Sequence, residues 1–182
     1  MQTATKPIEL AEKPMMRSLE TDGPYPELKD KSVLFGQFAG NWQYESQYFL
    51  PDGGTARAKG EIHFGWILGG TAIQDVMTGV VQNPPPGFPR TGFGTMVRFY
   101  DPNVDLWHCV WVAPLSRVIQ TFTARKVGDE IILEGKNGAG FLERWIFSEI
   151  TPESFQWRAV ESRDDGQTWH LDQRIWAVRI SP

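Results

Sequence analysis

Cysteine is nearly absent from this chain, with Cys109 alone among 182 residues. A single thiol excludes a disulfide framework and a zinc site built from paired cysteines, and it fits a reducing compartment. Clustered positive charge is also missing. With a net charge of -4, a pI near 5.4 and no run of Lys or Arg, the chain lacks the footprint of a nucleic-acid or anionic-membrane binder. No stretch approaches the ~18 consecutive apolar residues of a spanning helix. Met1 to Leu19 is interrupted by Pro7 and Pro14 and holds no apolar run of signal-peptide length. These absences lead to the expectation of a cytoplasmic protein that meets neither nucleic acid nor membrane. His63, His108 and His170 are far apart in sequence, so no metal site is expected, and no motif asks for a cofactor. Gly-x-Ser-x-Gly does not occur, and Gly92-Phe93-Gly94 lacks the strand-to-helix context of a phosphate-binding loop.

Aromatic residues are plentiful: 8 Trp, 11 Phe and 4 Tyr. They serve either to fill a core or to bind flat ligands. A hydrophobic fraction of 41% over this length supports one substantial core, and hence one domain preceded by an arm. Residues 1–26, with Pro7, Pro14, Pro24 and Pro26, read as an extended N-terminal arm, disordered or wrapped on a neighbour. Residues 27–182 read as the domain. Within it, Leu28, Val33, Leu34, Phe35 and Phe38 fall at roughly helical spacing, which predicts a short helix over 27–38 capping one end of a barrel. About eight to ten strands follow, joined by hairpins and without alternating helices. The expected fold is all-β, an up-and-down antiparallel barrel.

Turn chemistry sets the expected registers. A turn at Gly69-Gly70 pairs Trp66 with Ile73, Phe64 with Asp75 and Ile62 with Met77, an apolar face except for Asp75. A five-residue loop over Pro51–Thr55 puts Trp42, Tyr44, Ser46 and Tyr48 on that same face. Gly128-Asp129 pairs Phe122 with Gly135 and Ala124 with Leu133. A turn at Thr151–Ser154 sets Arg144 opposite Glu161, and Asp164-Asp165-Gly166 continues that face with Trp169 beside Glu161 and Gln173 beside Trp157. Around Asp101–Asp105 the more aromatic face, Phe99, Trp107, Cys109 and Trp111, is taken as inward, with Arg98 and His108 opposite. Asp75, Arg144, Glu161 and Gln173 are then polar residues on an apolar interior. Arg144 with Glu161 is either a structural ion pair or a ligand anchor, and Asp75 either caps a polar network or touches ligand. Residues 82–90, with four prolines, form a rim loop in which Phe88 stoppers the entrance, crosses the barrel end or meets another subunit.

Two local resemblances refine this picture. Ser162-Arg163-Asp164-Asp165-Gly166-Gln167-Thr168-Trp169 resembles the Asp-box of sialidase-type propellers, a folding motif at a hairpin turn, and a single copy implies only the hairpin. Gly40-Asn41-Trp42, after a short helix and before the meander, resembles the Gly-x-Trp opening of lipocalin and other calycin barrels, in which the tryptophan packs across the closed end. The family's Thr-Asp-Tyr segment and late arginine are not recognised in this sequence, so Trp42 alone is carried over. The resemblance implies a barrel with an internal cavity, like those of uncharacterised bacterial lipocalin-like domains.

Three functions follow from these readings. The first is binding of a small, largely apolar molecule, aromatic or isoprenoid-like. Trp42, Tyr44, Phe64, Phe99, Trp111 and Trp157 would form the wall, and Asp75, Arg144, Glu161 and Gln173 would orient the ligand. The second, suggested by calycin-like barrels that host catalysis, is a metal-independent isomerase, cyclase or lyase. There Asp75 or Glu161 moves a proton while Arg144 or Tyr44 stabilises negative charge. The third is an assembly subunit without a cavity, using the arm and outer aromatics. A homodimer stays open under each.

Overall fold

The structure is a computed structural model that describes residues 14–180. Ten strands follow one another in antiparallel hairpins: β1 (Gly40–Phe49), β2 (Thr55–Ile67), β3 (Ala72–Gln82), β4 (Thr91–Asp101), β5 (Leu106–Ala113), β6 (Val118–Val127), β7 (Glu130–Lys136), β8 (Leu142–Ser148), β9 (Ser154–Ser162) and β10 (His170–Arg179). β1 pairs with β2 on one side and β10 on the other, closing the barrel and leaving no free edge. The expected all-β barrel is therefore the observed one. Half of the expected arm, residues 1–13, lies outside the described residues. The part that is described carries a short helix, α1 (Pro14–Leu19), and then a strap in which Tyr25 N donates to Gly70 O at 2.9 Å. The strap leaves no room for a side chain at residue 70, where a Cβ would lie 2.3 Å from Gly23 O.

One end of the barrel is plugged. In place of a continuous helix over 27–38 there is a 3₁₀ stretch (Pro26–Ser32), interrupted at Lys29 with φ 48°, and then α2 (Val33–Gly36). Phe35 and Phe38 are completely buried; Phe38 meets the rings of Phe147 at 4.9 Å and Phe155 at 5.0 Å. Trp42, also fully buried, donates its indole N–H to Phe38 O at 2.7 Å. Arg179, from the last strand, lays its guanidinium 4.1 Å over the Trp42 ring. It also donates to Ala39 O, Gln37 O and Pro152 O at 2.6–2.9 Å. The bonds to Gln37 and Ala39 take up carbonyls left over where the helix ends and tie the last strand to the start of the first, while the bond to Pro152 reaches the β8–β9 turn.

Glycine-directed hairpins place their strands as expected. Trp66 faces Ile73, Phe64 faces Asp75 and Ile62 faces Met77; Phe122 faces Gly135 and Ala124 faces Leu133. Three other registers differ. Between β8 and β9, the Thr151–Ser154 turn forms, with Thr151 N donating to Ser154 O at 2.8 Å, but Glu149 adopts φ 49° and adds one residue to β8. Ser148 therefore pairs with Gln156, and Glu143, not Arg144, stands opposite Glu161. One added residue exchanges the two faces, so Glu143, Trp145 and Phe147 point inward and Arg144 points out. Between β4 and β5, Asp101 pairs with Leu106, which sets Phe99 against His108 on the outside and turns Met96 and Arg98 inward. Between β9 and β10, His170, not Trp169, pairs with Glu161; an irregularity between Leu171 and Gln173 then restores the inward face at Gln173.

Candidate binding cavity

Above the plug the barrel is hollow. A cavity of about 290 Å³ extends from the plug toward the opposite end, lined by residues of β1 to β6 and β8 to β10 and by Ser116 of the β5–β6 turn. Its wall is mostly aromatic. Trp111 and Trp145 meet edge to face at 5.6 Å, Trp145 and Trp157 at 5.2 Å, and Phe64, Phe147 and Phe155 complete the lower wall. Room for these rings comes from inner-face glycines. A Cβ on Gly94 would sit 2.2 Å from the Trp111 ring, and one on Gly79 would sit 2.1 Å from the Tyr44 hydroxyl.

The floor holds a buried charge pair. Arg98 Nη1 lies 2.6 Å from Asp75 Oδ2, with side chains 3% and 6% exposed. The guanidinium rests on the plug, its centre 5.0 Å from the Phe35 ring and 5.5 Å from that of Phe64. The contact with Asp75 is a close ion pair. Arg98 Nε is fully enclosed and makes no hydrogen bond among the described residues. Burial raises the Asp75 carboxyl above the usual carboxylate range against the opposing pull of Arg98. Burial likewise pushes the Tyr44 phenol up, and the Cys109 thiol up to about 12, which leaves that thiol protonated and unreactive.

Nearer the mouth the polar groups are satisfied. Gln173 Nε2 donates to Ser46 Oγ at 2.9 Å beside the Tyr48 hydroxyl. Across the opening, Glu143 accepts from the Trp145 indole at 2.6 Å and from Gln120. Burial and the neighbouring Asp172 and Glu161 raise the Glu143 carboxyl. Phe88 of the proline-rich loop packs on Tyr48 at 5.2 Å and on Ala56, Ala58 and Val81, covering the β1–β3 side of the mouth.

Of the residues singled out from sequence, Tyr44, Phe64, Asp75, Trp111, Trp157 and Gln173 line the cavity. Four others do not. Trp42 is sealed in the plug below it. Phe99 lies outside, 45% exposed, its ring 5.2 Å from that of His108. Arg144 lies outside because of the added residue at Glu149; it pairs with Glu134 at 2.8 Å and stacks on Trp169 at 4.3 Å. Glu161 faces inward but at the rim, beyond the cavity, held by Arg163 at 2.6 Å and by Asn137. The expected Arg144–Glu161 pair does not form. The sequence does not single out Trp145, Gln120 and Glu143, nor Arg98, the most consequential of the residues it leaves out. A signal was present: Asp75 on an apolar face requires a cation, and β4, the strand beside it, offers one inward candidate on the other parity.

The fold and the cavity define a closed ten-stranded antiparallel barrel, plugged at one end and hollow at the other. No model of a known protein family matches this sequence, and no curated protein matches it. Among solved structures the chain is similar to the S-type phycobiliprotein lyase CPES from Guillardia theta, with a TM-score of 0.56 and 10% identity over 84% of this chain and 93% of that one. It is also similar to Rv2717c from M. tuberculosis, with a TM-score of 0.56 and 14% identity over 87% and 99% of the two chains. At such identities the likeness is one of fold.

Proposed function

We propose that this barrel binds a small, largely apolar molecule, aromatic or isoprenoid-like, in its hollow. The observation that carries the reading is the cavity of about 290 Å³ walled by Trp111, Trp145 and Trp157. An apolar surface left unfilled inside a protein forgoes packing energy, and a ligand restores it at roughly 25 cal/mol per Å² covered. Gln173, Gln120 and the Arg98–Asp75 pair supply the few polar contacts that orient a guest. The calycin kinship inferred from Gly40-Asn41-Trp42 is supported by Trp42 in the plug and by Arg179 lying over it, a late arginine the sequence reading left unrecognised. The resemblance in fold to a phycobiliprotein lyase is compatible with a barrel that handles small molecules.

A second reading is catalytic. Asp75, with a raised pKa in the cavity floor, is placed to exchange a proton with a bound molecule, while Glu161 and Arg144 are too far outside to take part. Native mass spectrometry of freshly purified protein, together with quenching of tryptophan fluorescence by added neutral aromatic hydrocarbons, tests the binding reading. Retained mass or saturable one-to-one quenching is expected. Absence of both overturns it.

A further inference from the structure

Arg98 carries more donor capacity than its surroundings use. It is 2% exposed and lines the cavity; its Nη1 is engaged by Asp75 at 2.6 Å, and its Nε makes no hydrogen bond among the described residues. Leaving an enclosed, charged donor unbonded is costly, so an acceptor that reaches the guanidinium from the cavity is favoured. Among the described lining residues Arg98 is the only cation and Asp75 the only carboxylate. A carboxylate has about four lone-pair sites and matches the planar guanidinium fork, whereas a neutral carbonyl offers about two. The opposite end of the cavity does not suit an anion. Glu143 lies there with Gln120, and Glu161 and Asp172 act on it electrostatically.

We infer that the natural guest is a flat apolar molecule bearing a carboxylate, bound with the carboxylate down against Arg98 and the apolar body among Trp111, Trp145 and Trp157. This rests on the binding reading and adds the head group and its direction. Asp75, already paired with Arg98, then meets a second negative charge, and its raised carboxyl equips it to take up a proton as the guest enters. The other titratable groups facing that floor, Tyr44 and Cys109, are neutral, since burial raises both. Binding should therefore tighten as pH falls while the guest remains ionised.

Matched probes test this with the full chain: anthracene-9-carboxylate and anthracene-9-carboxamide, which share a ring system and differ in charge. By tryptophan quenching at pH 7, the carboxylate is expected to bind at least about tenfold more tightly, as hydrogen bonds to charged groups require. Asp75→Asn/Arg98→Met, which removes both charges together, should abolish that preference while still binding the amide. On the wild-type protein, the ¹⁵N resonance of the Arg98 Nε–H group should shift with the carboxylate and not with the amide, which gives a reading even if the double variant does not fold. Equal affinities, a preference that survives in the double variant, or a resonance unmoved by the carboxylate would each overturn the head-group assignment while leaving the binding reading intact. If neither probe binds, the binding reading itself fails.

Discussion

Replacing Arg98 with methionine tests the most consequential energetic feature of this barrel. Both side chains of the Arg98–Asp75 pair are nearly enclosed, at 3% and 6% exposure, so removing the cation leaves a carboxylate with no nearby positive charge. Breaking one side of such a pair costs about 3–5 kcal/mol. Protonation limits that cost. In the folded variant the Asp75 pKa lies well above its unfolded value of about 3.9, because burial then acts unopposed. Below about pH 4 both states hold the proton and the penalty is absent. Above it the unfolded chain ionises first in both proteins, because burial raises Asp75 in wild type as well; the variant falls behind at about 1.4 kcal/mol per pH unit once the wild-type carboxyl has titrated and its own has not, so the gap at pH 7 stays below a ceiling of about 4 kcal/mol. Urea unfolding followed by tryptophan fluorescence measures this in wild type, Arg98→Met and Asp75→Asn/Arg98→Met. Relative to wild type the single variant should lose up to about 3–4 kcal/mol at pH 7 and less than half as much at pH 5, and the double variant should recover most of the loss. A gap that does not change with pH, or a double variant as weak as the single one, would refute the argument that an uncompensated buried charge is the cause.

Other outcomes follow from the same geometry. Gly94→Ala places a methyl group where the Trp111 ring now lies, 2.2 Å from it, so the ring must swing into the cavity. Overpacking of this kind costs about 1–3 kcal/mol; thermal melts should show the loss, and probe binding should weaken with it. Arg144→Ala should leave probe binding unchanged, because Arg144 lies on the outer surface with Glu134 and Trp169; weakened binding in the quenching titration would place it back in the pocket. Asp164 accepts bonds from the Thr168 amide and hydroxyl and from Ser162, which hold its carboxyl down to about 2. Its contribution is present above the unfolded pKa of about 3.9 and lost as pH falls through the folded value. Wild type and Asp164→Ala should therefore differ in melting temperature at pH 6 and converge near pH 2; a constant difference would show that the bonds do not depend on the ionised form.

How much was legible in advance depends on what fixes each hairpin. Closure over Gly69-Gly70 and over Gly128-Asp129 could be read from residue type, because positive φ there favours glycine and dictates the turn. The inward positions of Phe64 and Asp75 followed from the Gly69-Gly70 turn and strict alternation, and that of Tyr44 from the β1–β2 loop, whereas Gln173 faces inward only because the irregularity before it offsets the extra residue of its turn. The single-copy Asp-box also identified its turn correctly, and its internal hydrogen bonds explain why. It could not show that the strand beyond resumes at His170 and carries a compensating irregularity. Similarly, the Asp101–Asp105 turn left two parities open, and the one chosen put Arg98 on the wrong side.

The amino-acid sequence by itself determined the all-β class, the plug after the arm and the inner faces of β1 to β3 and of β6 with β7, since each depends on contacts among near neighbours. Only the tertiary structure decided the face of β8, the partner of Asp75 and the pairing of β1 with β10. A left-handed backbone at a residue such as Glu149 has no marker in residue type, yet one such residue exchanges every side chain between core and solvent. Closure faces the same obstacle: Trp42 and Arg179 are far apart along the chain and meet only when the last strand returns to the first.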